Sequence, residues 1–351
     1  MRPRGLTYSL RSALLLTFAA VLAVLTAASC DIHEWPEDAP ADVILRLDFN
    51  TELPLYKEIE LKTRGYDLSD YNIRYTIEAY RLLADGSHEA TPTKKFMFSK
   101  SSLNDWNATF HIQIDEGDWL FAAWADRVLR SDGDINSAST FYDTENLTDV
   151  RLSGSYTGNT DAKDAFSGTE EHSVQRRSSK ESIETIRISM NRPLAKYEFV
   201  ATDYDDFMTK AIQSLVSKAD PTDTKAPEVN LDDYNVILRY SGFLPSEFDV
   251  LDNRPFNAVT GTSFKSSIRP LSGNEAVIGF DYVMVNGIES SVMVVVELYD
   301  KNNELLSRTN PLEIPLKRSH LTKVKGRFLT QEAGDGVVVD PRYDGEFNIF
   351  L

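Results

Sequence analysis

In Val43-Ile44-Leu45-Arg46-Leu47-Asp48-Phe49, an extended chain places Val43, Leu45, Leu47 and Phe49 on one face and Arg46 and Asp48 on the other. Such alternation marks a strand with one face buried, and it recurs along most of the chain. Ile73, Tyr75, Ile77 and Ala79 alternate with Arg74, Thr76 and Glu78, and Asp85-Gly86 follows as a turn signal. Phe110, Ile112 and Ile114 share a phase within 108–114. In 119–125, Trp119, Phe121 and Ala123 oppose Leu120, Ala122 and Trp124, and aromatics on both faces predict a buried central strand. Asp115-Glu116-Gly117-Asp118 between these two strands has the composition of a tight hairpin.

From Ser131 to Ser182 the apolar density falls, and 153–182 reads as a long exposed loop in which only Ala165-Phe166 tucks inward. Ile186, Ile188 and Met190 restore the alternation and close a first all-β unit at Asn191-Arg192-Pro193. A second unit opens with the strand 194–200. Phe207, Ala211, Ile212, Leu215 and Val216 then recur at helical spacing, so one amphipathic helix interrupts the sheet. Strands return at 234–240, 276–285 and 291–299, the last two joined by the hairpin signal Asn286-Gly287. Shorter strands are expected at 321–330, 337–339 and 346–351. The chain therefore reads as all-β with one inserted helix, and its 351 residues suit two domains.

The only cysteine, Cys30, stands directly after an uncharged run from Ser12 to Ser29 that is preceded by Arg2, Arg4 and Arg11. Small residues Ala27-Ala28-Ser29 beside it are what a signal peptidase requires, so residues 1–29 read as a secretory signal ending in a lipobox. Cys30 is the predicted lipidation site, with diacylglycerol on its thiol and an acyl group on its amine, and residues 30–42 form a tether limited by Pro36 and Pro40. The competing readings are an uncleaved anchor, for which the run is short against about 20 spanning residues, and plain secretion. Trp35 within the tether suits a membrane-interface or docking aromatic. With Cys30 acylated no internal disulfide can form, and the fold must stand on packing. Removing the signal leaves 34 basic against 54 acidic residues, a net charge of −20, which disfavours nucleic acid as a partner.

Catalytic signatures are lacking. His33, His88, His111, His172 and His320 form no pair at metal-ligand spacing. Asp205-Asp206 and Asp232-Asp233 read as solvated turns in so acidic a chain. Asp132, Asp134, Asn136 and Asp143 resemble a calcium loop, but Ser137 stands where the sharp turn needs glycine and Asp143 where a bidentate glutamate is usual. No enzyme, cofactor, metal or small-molecule substrate is expected.

The lipobox with Cys30-Asp31-Ile32-His33-Glu34-Trp35-Pro36, the strand Ile44 to Phe49, the segment Arg192-Pro193-Leu194-Ala195-Lys196-Tyr197-Glu198-Phe199, and the ending Leu321-Thr322-Lys323-Val324-Lys325-Gly326 through Val337, Pro341 and Asp344-Gly345-Glu346 resemble Bacteroidales fimbrillin-like lipoproteins. The resemblance implies two tandem transthyretin-like β-sandwich domains, placed at 43–190 and 191–351. It also implies a structural or adhesive lipoprotein at the outer membrane or cell surface, a subunit, anchor or accessory protein of type V pili. Its partners would be the membrane, through Cys30, and pilus subunits, through strand addition. Stalk precursors of such pili are cut by an arginine-specific protease in the first domain, and Arg46 and Arg64 are the positions that could be that site here. An anchor would keep its N-terminal strand and its lipid. The alternative is a glycan-binding lipoprotein of a polysaccharide-uptake system, which needs exposed coplanar aromatics; a lipid-anchored hydrolase would need converging carboxylates. A Cys30→Ala chain is expected to lose acylation and leave the membrane fraction, since acyl chains contribute about 0.8 kcal/mol per buried CH₂; membrane retention without acylation would contradict the lipobox.

Overall fold

In the computed structural model, which describes residues 40–54, 68–101, 106–132, 139–175, 183–218, 228–331, 338–339 and 346–350, period-two alternation is realised as strands along most of its length, though the strand expected at 321–330 ends at Gly326. The first half carries β1 (Ala41–Phe49), β2 (Tyr71–Arg81), β3 (Lys94–Lys100), β4 (Ala108–Ile114), β5 (Gly117–Leu129), β6 (Tyr142–Asp143), β7 (Val150–Leu152), β8 (Phe166–Val174) and β9 (Glu184–Met190). After it come β10 (Leu194–Ala201), helix α1 (Tyr204–Lys218), β11 (Asn235–Tyr240), β12 (Leu244–Pro245), β13 (Glu247–Asp249), β14 (Arg254–Pro255), β15 (Ala258–Val259), β16 (Ser263–Ser266) and β17 (Arg269–Pro270). The chain continues through β18 (Ala276–Met284), β19 (Glu289–Tyr299), β20 (Leu305–Arg308), β21 (Leu312–Lys317), β22 (Leu321–Gly326), β23 (Val338–Val339) and β24 (Glu346–Phe350).

Sheet β4-β1-β9 packs on sheet β3-β2-β5-β8 around Val43, Leu45, Leu47, Tyr75, Phe121 and Ile186. Sheet β17-β18-β10-β22-β24-β23 packs on β16-β11-β19-β20, with β21 also along β19, around Tyr197, Phe199, Leu238, Val294 and Val324. A third core joins these two layers of sheets. In it the outer faces of β2 and β5 meet those of β10 and β18 through Trp124, Tyr142, Phe248, Phe280 and Met284. The small sheet β14-β13-β7-β6 runs through this seam with strands from both halves of the chain. The fold is thus mostly β with one α-helix among the described residues, as the alternation predicts.

Several local expectations are corrected. The turn 115–118 is not a hairpin, because β4 pairs with β1 whereas β5 lies between β2 and β8. Asn286-Gly287 likewise carries the chain from β18 to β19 in the facing sheet. The turn chemistry was correctly located in both places, with Gly117 and Gly287 at positive φ, but a turn specifies a reversal and not which sheet receives the next strand. The expected exposed loop 153–182 contains strand β8, antiparallel to β5 from Gly117↔Val174 to Ala125↔Phe166. Its polar composition misled because β8 is an edge strand with alternating exposure, while Phe166 is buried as expected. A Cβ at Gly168 would lie 2.3 Å from the Ser189 carbonyl oxygen, so glycine permits β8 and β9 to approach.

The outer face of β2 is also buried, against the expectation of a solvated face. Arg74 is held by Asp126 through two bonds of 2.9 and 2.7 Å and donates to the Tyr142 carbonyl at 3.0 Å. Glu78 accepts from Tyr80 Oη at 2.7 Å and from the Leu147 amide at 3.1 Å. Helix α1 forms where its periodicity places it, with Phe207 and Ala211 buried, but Ile212 and Val216 stand exposed on its later turns. Its start is fixed by Asp203, whose carboxylate accepts from Leu329, Thr330 and the Thr330 hydroxyl. Strands β3, β16, β20 and β21 lay outside the predicted set. The terminal strand β24 pairs parallel to β22, Lys323↔Glu346 to Lys325↔Asn348, and so extends the chain's own sheet.

Trp119 sits in the core of the first sheet pair and Trp124 in the seam, both with no exposed surface. Replacing either with alanine is expected to cost about 3–5 kcal/mol, read from urea melts of the full chain; unchanged midpoints would contradict this packing.

Candidate functional site

Strand β1 is the first element among the described residues, and it is paired on both sides. It runs antiparallel to β4 from Ala41↔Ile114 to Leu47↔Ala108 and parallel to β9 from Val43↔Glu184 to Phe49↔Met190. Its inward side chains Val43, Leu45 and Leu47 are buried. Arg46 lies on the outward face, opposite Arg187. Asp48 bridges the two guanidinium groups, at 2.7 Å from Arg46 Nε and 3.4 Å from Arg187 Nη1. A cleft of about 350 Å³ borders this strand, lined by Arg46, Asp48, Ser99, Lys100, Asn107 and Phe110. Phe110 stacks on Phe98 at 4.0 Å and so closes that edge of the core. Cys30 and Arg64 lie outside the described residues.

The second distinctive region is charged, and lies where one segment crosses from the seam into the core of the second sheet pair. Residues 156–164, within the stretch read as an exposed loop, dock on β10 and β18. Lys163 Nζ lies 2.8 Å from Asp281 Oδ1, and both side chains are buried. Tyr156 and Tyr240 donate to Asp281 Oδ2 at 2.5 and 2.7 Å, and Tyr197 Oη lies 2.9 Å from Tyr240 Oη. Burial pushes the Tyr156, Tyr197 and Tyr240 hydroxyls well above the ordinary phenol range, so they remain protonated donors. Burial pulls the Lys163 ammonium down, opposed by Asp281. Alongside, Arg192 makes a bidentate pair with Asp164, at 2.6 and 2.8 Å. Lys196 reaches Asp161 at 2.7 Å and lies 4.1 Å over the Phe280 ring. Next to these pairs, Gly168, Asn191, Arg192, Val250, Asn253 and Arg318 line a cleft of about 230 Å³.

Neither cleft brings two carboxylates together. Among the described residues no group of three histidine, cysteine or acidic side chains could hold a metal. Asp134 and Asn136 of the calcium-like run lie outside those residues, and Asp143 instead accepts from the Glu145 amide at 2.9 Å. Asp206 pairs with Arg327 and Asp233 with Lys301. The described histidines are spread out: His172 meets Glu184 between β8 and β9, and His88 and His320 contact backbone carbonyls. Trp106, Trp119 and Trp124 are buried, so none serves as an exposed stacking platform.

Sequence reasoning located Arg46 and Arg192 but missed the residues they work with. The signal for this region was charge within strands otherwise apolar on both faces: Asp281 alone in 276–285, and Lys196 and Glu198 in 194–200. Such a charge requires a buried partner.

The chain belongs to DUF6562, a family of unknown function, which it matches over residues 40–350. Among solved structures it is similar to the fimbrial anchor protein Mfa2 from Porphyromonas gingivalis, at 12% identity over 77% of this chain and 82% of that one, with a TM-score of 0.36. It is also similar to the tip fimbrial protein Mfa3 from the same organism, at 10% identity over 78% and 81%, TM-score 0.37. A third is a fimbrial assembly protein from Parabacteroides distasonis, at 12% identity over 90% and 100%, TM-score 0.36. No curated protein matches the chain.

Arg192→Ala is expected to cost about 3–5 kcal/mol, because it leaves Asp164 buried without its counter-ion. The double variant with Asp164→Ala should recover part of that loss in the same denaturant melts; strictly additive losses would mean that the pair is not coupled.

Proposed function

We propose that this protein is a lipid-anchored, non-enzymatic structural or adhesive protein of the cell surface or outer membrane, acting as an anchor or accessory subunit that keeps its N-terminal strand. In this reading residues 1–29 are removed, Cys30 carries the lipid, and sandwich domains at 43–190 and 191–351 project from the tether 30–42. The observation that carries it is the position of β1. A strand paired along both edges, with three buried aliphatic side chains, transmits load from tether to sheet through backbone hydrogen bonds on each side. Removing it would leave the facing edges of β4 and β9 unpaired and open the core.

The same pairing bears on processing. A protease must take the scissile segment in extended form into its own cleft, and in β1 those backbone groups are already engaged. The Arg46 bond is therefore closed to cleavage in the folded chain. The glycan-binding alternative gains no support from the buried tryptophans.

Folded full-length chain treated with an arginine-specific protease is expected to show no cut after Arg46 and to keep 41–49 bound even if Arg64 is cut. Loss of 41–49 followed by concentration-dependent polymerisation would replace the anchor reading with a stalk-subunit one.

A further inference from the structure

Among the described residues, three ion pairs are tight and buried on both sides: Arg74 with Asp126, Arg192 with Asp164, and Lys163 with Asp281. Guanidinium groups do not give up a proton in proteins, but an amine does when desolvated. Lys163 is the amine of the set. Its surroundings are unlike those of an ordinary ion pair, because Nζ also donates to Tyr156 Oη at 2.7 Å, and that hydroxyl donates to Asp281 Oδ2 at 2.5 Å. Nζ, the Tyr156 hydroxyl and the two carboxylate oxygens thus close a ring around Cγ of Asp281. Tyr240 adds a second donor to Oδ2 at 2.7 Å, and the Tyr282 amide donates to Oδ1 at 2.8 Å.

We propose that Lys163 and Asp281 condense to an intramolecular amide, a covalent cross-link between the 156–164 segment and strand β18. The inference rests on the geometry of this cage and does not depend on the anchor reading. The step balances without oxidant or cofactor. Nζ passes one proton through Tyr156 to Oδ2, which leaves a neutral amine beside a neutral carboxyl. The Nζ lone pair then bonds to Cγ, with negative charge on Oδ1 held by the Tyr282 amide. A second amine proton follows the same relay to Oδ2, the Cγ–Oδ2 bond breaks, and water leaves; the third proton remains on the amide nitrogen. Burial of Lys163, which lowers its proton affinity, works in the direction of the neutral nucleophile. Protonated phenols around Oδ2 polarise the carboxyl as a general acid must. In a chain whose one cysteine cannot form an internal disulfide, such a bond would tie residues 118 positions apart across the seam.

Intact mass and peptide mapping of the full mature chain decide the matter. The expected result is a mass lower by one water than that of the Lys163→Arg chain after allowing for the substitution, no tryptic cleavage after Lys163, and a branched peptide joining Lys163 to Asp281. Lys163→Arg should show the full mass, and Tyr156→Phe, which keeps amine and acid but removes the relay, should slow cross-linking by about a hundredfold or more. Full mass in the wild-type chain, with linear peptides spanning Lys163 and Asp281, would overturn the proposal and leave an ordinary ion pair. A lost water confined to one linear peptide would overturn it equally, since that reports cyclised aspartate.

Discussion

Burying a charge without a partner is among the most costly things a protein can do, and the region where 156–164 crosses from the seam into the second sheet pair's core is built around that constraint. Asp281 stands in a strand whose nine residues are all buried, so its carboxylate has no access to water. It is satisfied by four donors drawn from across the molecule: Lys163 and Tyr156 from the crossing segment, Tyr240 from β11, and the amide of Tyr282 beside it. No one half of the chain supplies this set. Asp164 with Arg192, and Asp161 with Lys196, repeat the arrangement a few residues away. Each pair requires 156–164 to lie against β10 and β18, which in turn holds the small mixed sheet and the aromatic cluster of Trp124, Tyr142 and Phe248 in place.

This seam gives the N-terminal strand its mechanical context. β1 is continuous in pairing with β9, and β9 runs through Asn191, Arg192 and Pro193 directly into β10, the strand at the middle of the second half's larger sheet. Load entering at residue 41 would therefore pass along parallel pairing to β9, and from there both through the backbone and through the Arg192–Asp164 pair. On the anchor role proposed above, such a route would spread load, because no step in it depends on one isolated contact.

The longer strands were mostly legible in the sequence because alternation reflects a core face, and the structure follows it at β1, β2, β4, β5, β9, β10, β11, β18 and β19. Pairing was less legible. Gly117 and Gly287 mark turns, but whether a turn folds a strand beside its predecessor or over onto the facing sheet is decided by packing far along the chain. The polar stretch around Lys163 looked solvated for a similar reason: charges that neutralise one another in a buried seam have the same composition as charges in water. What could have been read was the reverse signal, Asp281 standing alone among Val277, Phe280 and Val283. Arg46 was legible as a residue, while its closed environment depends on β4 and β9 meeting it from sequence separations that composition does not report.

If the charged seam makes one cooperative body of the two halves, they must unfold together. Equilibrium urea unfolding followed by hydrogen exchange, comparing amides of β5 with amides of β19, tests this directly. The account predicts one transition with coincident midpoints for both strands. Two separated transitions, with β19 surviving the loss of β5 or the reverse, would contradict it.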